Sequence, residues 1–275
     1  QYNREKDKIG YAELDNVSYK LSYGYRTVFA YLHELDNDNV KRSNVSCFDE
    51  RHLTMQVSCG QLSYGNIKPA CILGVSGTLE ALTDYEKEVM SRYCIEKYSL
   101  APSVYGKKHL TFDMAGPGIH VAEDKAEYFK EIVNTVNQHS RSSDHSKKKR
   151  RAVIVFFESQ QRLEEFRTSA HFRGIIEKTA VHRLTESTDN DARDYIINKA
   201  ATAGQVTLAT KAFGRGTDFI SRDQVLNDCG GVHILQTFLS EMETEEIQIK
   251  GRTSRQGQKG SYSLVLLVSD DPVLG

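Results

Sequence analysis

The chain has 275 residues, room for two domains or for one and a substantial part of another, with 36 Lys and Arg against 37 Asp and Glu and a net charge of −1. That balance excludes a global pull toward nucleic acid or anionic lipid, so any basic site is local. Hydrophobic residues make up 39% of an ordinary globular composition, no apolar run reaches the roughly 18 residues of a membrane helix, and the five cysteines, odd in number and without a CxxC pair, read as free thiols of a reducing, cytoplasmic compartment.

Residues 1–66 are punctuated by Ser, Asn and Gly, contain no repeat, and predict a helix near 28–35. The chain starts at Gln1 without a charged-then-apolar leader, and it reads as excised from something longer. "EDKAEYFKEIVNTVNQH" (123–139) predicts a helix with Tyr128, Ile132 and Val136 in register. The polar stretch "SRSSDHSKKKRR" after it reads as an exposed connection, its basic run at 147–151 a solvated loop.

From there, short apolar runs alternate with amphipathic ones. "AVIVFF" (152–157), "QVTLAT" (205–210), "VHILQT" (232–237) and "SLVLLV" (263–268) are rich in β-branched residues, as strands buried on both faces should be. Between them, "SQQRLEEFRTSAHF" places Leu163, Phe166 and Ala170 on one helical face, and "NDARDYIINKAA" places Ala192, Ile196 and Ala200 likewise, after capping residues Thr188 and Asp189. This alternation predicts an α/β fold, a parallel sheet with helices on both faces.

In such sheets ligands sit at loops leaving the strands. The loop after "QVTLAT" reads "KAFGRGTDF" (211–219). Gly214 and Gly216 allow a tight turn, Arg215 offers a planar cation, and Asp218 can orient an arginine or a water. A second basic stretch, "KGRTSRQGQKGS" (250–261), has two arginines, two lysines, three glycines and no acid. A helix over 244–256 would put Arg252 and Arg255 on one face, as a clamp on a polyphosphate requires. No GxxxxGK[ST] loop and no convincing Mg²⁺ carboxylate accompany them, so the pattern is that of a nucleotide half-site.

"VTLATKAFGRGTDF", "GGVHILQT" and "QIKGRTSRQGQKGS" resemble the fifth and sixth motor motifs, and the segment joining them, of the SecA family of preprotein translocase ATPases. "ILGVSGTLEA" resembles its third motif, and "LAPSVYG" the segment crossing to its second motor domain. The resemblance covers roughly residues 73–271. It implies a RecA-like sheet of the superfamily 2 helicase C-terminal type, with residues 1–100 the C-terminal portion of a first motor domain and 101–275 a second. It also implies that ATP is shared with the first domain, which holds Mg²⁺. Arg252 and Arg255 would then be arginine fingers, Arg215, flanked by Gly214 and Gly216, and Asp218 nucleotide sensors, and Gln248 and Gln256 part of the sixth-motif frame. The partners implied are that first domain, an unfolded polypeptide client and a membrane translocation channel at which the protein sits peripherally.

The sequence departs from the family at several points: Lys250 stands for Arg, Ser254 for Gly, Gln258 and Lys259 for Asp-Pro, and Phe238 and Leu239 for Glu-Arg. Two alternatives therefore stay open. A nucleic-acid helicase would share these loops but needs a basic, aromatic groove. A degenerate interaction module would keep the fold and lose hydrolysis.

Overall fold

The computed structural model describes residues 2–3, 8–13, 16–19, 21, 23–40, 63–114, 116, 118–140, 150–173, 180–221 and 223–270. The chain divides into two compact units, Gln1–Leu73 and Gly74–Gly275. In the first, β1 (Tyr2–Asn3) pairs antiparallel with β2 (Lys8–Ile9), and β3 (Tyr11–Glu13) with β4 (Asn16–Ser18). The helix expected near 28–35 is α1 (Tyr25–Asp36), whose buried Tyr31 packs with Ile9 and Val40.

The second unit opens with α2 (Asp84–Arg92), started by a Thr83–Glu86 capping box that satisfies two otherwise orphaned N–H groups. Its centre is a seven-stranded sheet in which every pairing is parallel, built from β5 (His109–Thr111), β6 (Ile119–Ala122), β7 (Val153–Phe157), β8 (Ala180–Leu184), β9 (Gln205–Thr210), β10 (Val232–Gln236) and β11 (Lys259–Leu267). The order is β5–β11–β10–β7–β9–β8. β5 and β6 share the outer edge of β11, against its amino and carboxyl halves. The α/β class expected from the alternation is thus present, and all four strands read from apolar runs are there.

Strand periodicity explains the layering. Along β7, Val153, Val155 and Phe157 enter one core and Ile154 and Phe156 the other, because successive side chains point to opposite faces. The first face is covered by α3 (Lys125–Ser140), with Tyr128, Ile132 and Val136 fully buried, and by α4 (Gln160–Thr168), with Leu163 and Phe166. The second is covered by α5 (Asn190–Ala200), a 3₁₀ turn at Lys211–Gly214, α6 (Gln224–Asp228) and α7 (Glu243–Lys250). Asp189 caps α5 by accepting from the Asp191 N–H. Ile196 and Ala200 are buried as expected, whereas Ala170 and Ala192 are exposed near their helix ends.

The predicted connection after α3 lies outside the described residues except for Ser140, Arg150 and Arg151. Arg151 is no solvated residue: it donates to the carbonyls of Gly230 (2.8 Å) and Gly231 (2.8 Å) and to Ser261 Oγ (2.7 Å). Cys71, Cys94 and Cys229 are free thiols; Cys47 and Cys59 lie outside the described residues. Among the described residues no helix is long and apolar enough to cross a membrane.

Candidate functional site

The loop after β9 is shaped by two aromatic anchors. Phe213 and Phe219 are both buried in the second-face core, Phe219 meeting Phe156 edge-on at 6.3 Å. The residues between them bulge outward, leaving Arg215, Gly216 and Asp218 exposed. Gly216 adopts φ 65°, a left-handed conformation that side chains disfavour. Gly214 serves differently: a Cβ there would lie 2.7 Å from Ile249 Cγ1, so only glycine lets the loop press against α7.

The second basic stretch folds otherwise than the helix expected over 244–256. α7 ends at Lys250, and the chain then turns through left-handed residues at Ser254, Gln256 and Gly257 before entering β11. Arg252 and Arg255 therefore share no helical face. The turn is pinned by Thr253 Oγ1 donating to Val232 O (2.7 Å), Gln258 Nε2 donating to Ser221 O (2.8 Å) and the Lys259 N–H donating to Asn227 Oδ1 (2.7 Å). These bonds place it at the amino end of β11, where the segment returning from β9 passes. The two basic loops do meet, though not at the carboxyl edge of the sheet.

At that meeting the two arginines are used differently. Arg252 turns inward, half-buried, donating Nε to Gly214 O (2.7 Å) and Nη1 to Thr217 O. Burial pushes its guanidinium below the ordinary arginine value. Arg255 faces solvent and pairs with Asp218, the two side chains 43% and 55% exposed. Arg215 is exposed on the same loop; Gln248 is half-buried on α7 and Gln256 exposed beside Arg255. The corner thus brings together Arg252, Arg255, Gly214 and Asp218.

Further cations line this corner. Lys250 pairs with Glu246 and lies over the rings of Phe112 (4.5 Å) and Tyr262 (5.0 Å). Burial, and then the Glu246 charge, raise the Tyr262 phenol, which donates to Gln236 Oε1 (3.0 Å). Lys108, absent from the sequence-based candidates, is held below the usual lysine range first by desolvation and then by Arg255 and Lys250. Its only signal in sequence was the "GKKH" before a three-residue strand that periodicity does not reveal. Chemically the corner presents N–H donors and positive charge, which fit phosphate oxygens.

The helicase conserved C-terminal domain matches residues 124–257. Among curated proteins, the translocase subunit SecA of Nitratidesulfovibrio vulgaris (strain DSM 19637 / Miyazaki F) is 35% identical over 105 residues, covering 38% of this chain and 12% of that protein. SecA of Syntrophus aciditrophicus is 28% identical over 142 residues, covering 52% of this chain and 16% of that protein. The chain therefore spans a small part of these relatives. Among solved structures, domain 2 of the DEAD-box helicase Mss116p bound to an RNA duplex matches with a TM-score of 0.41 and 15% identity, over 54% of this chain and 52% of that one. The Escherichia coli DEAD-box protein SrmB bound to RraA matches at 0.37 and 18%, over 57% and 79%. A parallel sheet covered on both faces thus carries the paired "GRGTD" and "GRTSRQG" loops, residues 124–257 match the helicase conserved C-terminal domain, and part of the chain is similar in sequence to SecA proteins.

Proposed function

We propose that this chain is the nucleotide-responsive half of a SecA-like, ATP-driven protein translocase motor. In this reading, residues 101–275 are the second RecA-like domain and residues 1–100 the C-terminal portion of the first, whose missing part holds the P-loop and Mg²⁺. The observation that supports it most is the solvent-facing Arg255–Asp218 pair, which joins the two signature loops at one corner.

Arg255 is the finger in this scheme. When ATP on the partner domain closes against the corner, the guanidinium exchanges Asp218 for a γ-phosphate oxygen and stabilises charge developing in transfer. Arg252, the other candidate finger, acts from behind by tying the carbonyls of Gly214 and Thr217, so the loop with Arg215 and Asp218 moves as one body with the turn. Gln248 and Gln256 frame the turn. Asp218, freed from Arg255, reports the phosphate to the rest of the domain. The motor works in the cytoplasm and meets the membrane peripherally at a translocation channel, with an unfolded polypeptide as client.

In a protein joining this chain to a P-loop domain, Arg255→Ala should lower ATP hydrolysis about 10³-fold while changing nucleotide affinity little. Arg255→Lys should not restore the rate, because lysine keeps the charge without the planar fork. Steady-state hydrolysis alongside fluorescent-nucleotide titration checks this; a fully active lysine variant would count against the finger.

A further inference from the structure

We propose that Lys108 is a further phosphate ligand of this corner, reaching the same polyphosphate as Arg255 from the strand that borders it; the inference rests on the nucleotide-site reading above. The sheet brings the residue there. Parallel pairing sets His109 opposite Lys259, so the segment entering β5 runs beside the turn that holds Arg255. Tyr105 packs on that turn as well: a Cβ added at Gly257 would lie 3.9 Å from Tyr105 Cβ.

The charge count around Lys108 is unbalanced. Arg255 uses Asp218 and Lys250 uses Glu246, which leaves both neighbouring carboxylates engaged. Among the described residues Lys108 has no carboxylate partner, and the charges it feels most are those of Arg255 and Lys250. Crowding like charges into one partly desolvated corner opposes the ionised state of each, unless an anion arrives to reverse the sign. Lys108 itself remains solvent-accessible, so its ammonium can meet a ligand from outside. The lysine also complements the arginine chemically: its ammonium is a compact charge on a flexible stem, suited to following a terminal phosphate.

The probe is inorganic tripolyphosphate, added to the whole 275-residue chain labelled with ¹³C at the lysine ε-carbons. Saturating tripolyphosphate should raise the Lys108 midpoint above its value in the free chain. In calorimetry, Lys108→Gln should weaken tripolyphosphate about tenfold, equivalent to about 1.4 kcal/mol. Lys108→Arg should retain most of the affinity, showing that the glutamine variant is folded, and Lys107→Gln should change it less than about twofold, as expected of a charge outside the contact. An unmoved Lys108 midpoint, equal losses at Lys107 and Lys108, or no saturable binding overturns the proposal. If Arg255→Gln weakens binding and Lys108→Gln does not, the lysine ligand falls and the arginine reading stands. If neither variant weakens a binding that does occur, both fall.

Discussion

Arg252 and Arg255 sit three positions apart in one basic turn, yet their surroundings assign them opposite work. Arg252 satisfies two backbone carbonyls of the neighbouring loop while half-buried, and hydrogen bonds from a charged donor contribute about 1.5–3 kcal/mol each. Arg252→Leu should therefore destabilise the second unit by about 2–4 kcal/mol and loosen the 211–223 loop to proteolysis. Arg255→Ala breaks only an exposed ion pair and should cost less than about 1 kcal/mol. Urea unfolding of both variants separates a brace from a surface contact; equal losses would contradict the division. Ser254 belongs to this scale too. It stands where the resembled family has glycine, and its φ of 57° is the conformation glycine accepts most easily. The serine is retained here with its Oγ donating to Gln258 O at 3.1 Å.

Between elements, the polar joint of α3, β10 and β11 is the part most sensitive to acid. His139 of α3 stacks on His233 of β10 at 3.6 Å, and His233 is held between Ser261 Oγ (2.7 Å) and Ser263 Oγ (3.0 Å). Arg151 bonds the same Ser261 and reaches His139 Nδ1 at 3.2 Å. Desolvation, and then the Arg151 charge, push His139 down to about 4; desolvation, His139 and Arg151 drive His233 well below the ordinary histidine value. Both imidazoles are thus neutral in the folded protein, whereas unfolded histidine titrates near 6.5. The folded state binds fewer protons between those values, so this contribution is complete above about pH 6.5 and is lost as pH falls toward 4. The loss through His139 alone should be on the order of 3 kcal/mol. Urea midpoints at pH 7, 5.5 and 4.5 should drop less steeply for His139→Gln than for the parent; an identical slope would show that the stacked pair does not set the acid limit.

For the molecule as a whole, the half-site reading makes the isolated chain a poor enzyme. It should bind ATP only weakly, through the cations of this corner alone, and release phosphate no faster than background, because the P-loop and the Mg²⁺ ligands belong to the proposed partner domain. Calorimetry and a phosphate-release assay decide this; micromolar affinity with sustained turnover would sink the reading. Joined to that domain, the motor should be stimulated by denatured polypeptide and left unchanged by single-stranded RNA or DNA across a salt series. A helicase would instead respond to nucleic acid and lose affinity steeply as salt rises. If neither stimulates and the basal rate is nil, a non-hydrolysing interaction module is the better description.

Local chemistry alone was enough for the α/β class, the four apolar strands and the faces of α3 and α4, because runs such as "AVIVFF" and the spacing of Tyr128, Ile132 and Val136 encode burial within a few residues. It also marked Arg215, Asp218, Arg252 and Arg255, since glycine-flanked arginines without acids are unusual on a solvated surface. It could not reveal β5, β6 and β8, whose pairing is nonlocal and whose residues are largely polar or half-exposed. Nor could it find the amino half of β11, where Gly260 packs against Thr253 and Tyr262 bonds Gln236. The inward turn of Arg252 and the placement of Lys108 beside Arg255 depend on chain segments more than 30 residues apart, brought together by strand pairing and by carbonyls that need donors. Residue types and spacing singled out the two arginines, but only the tertiary packing determined which of them faces inward and which meets the solvent.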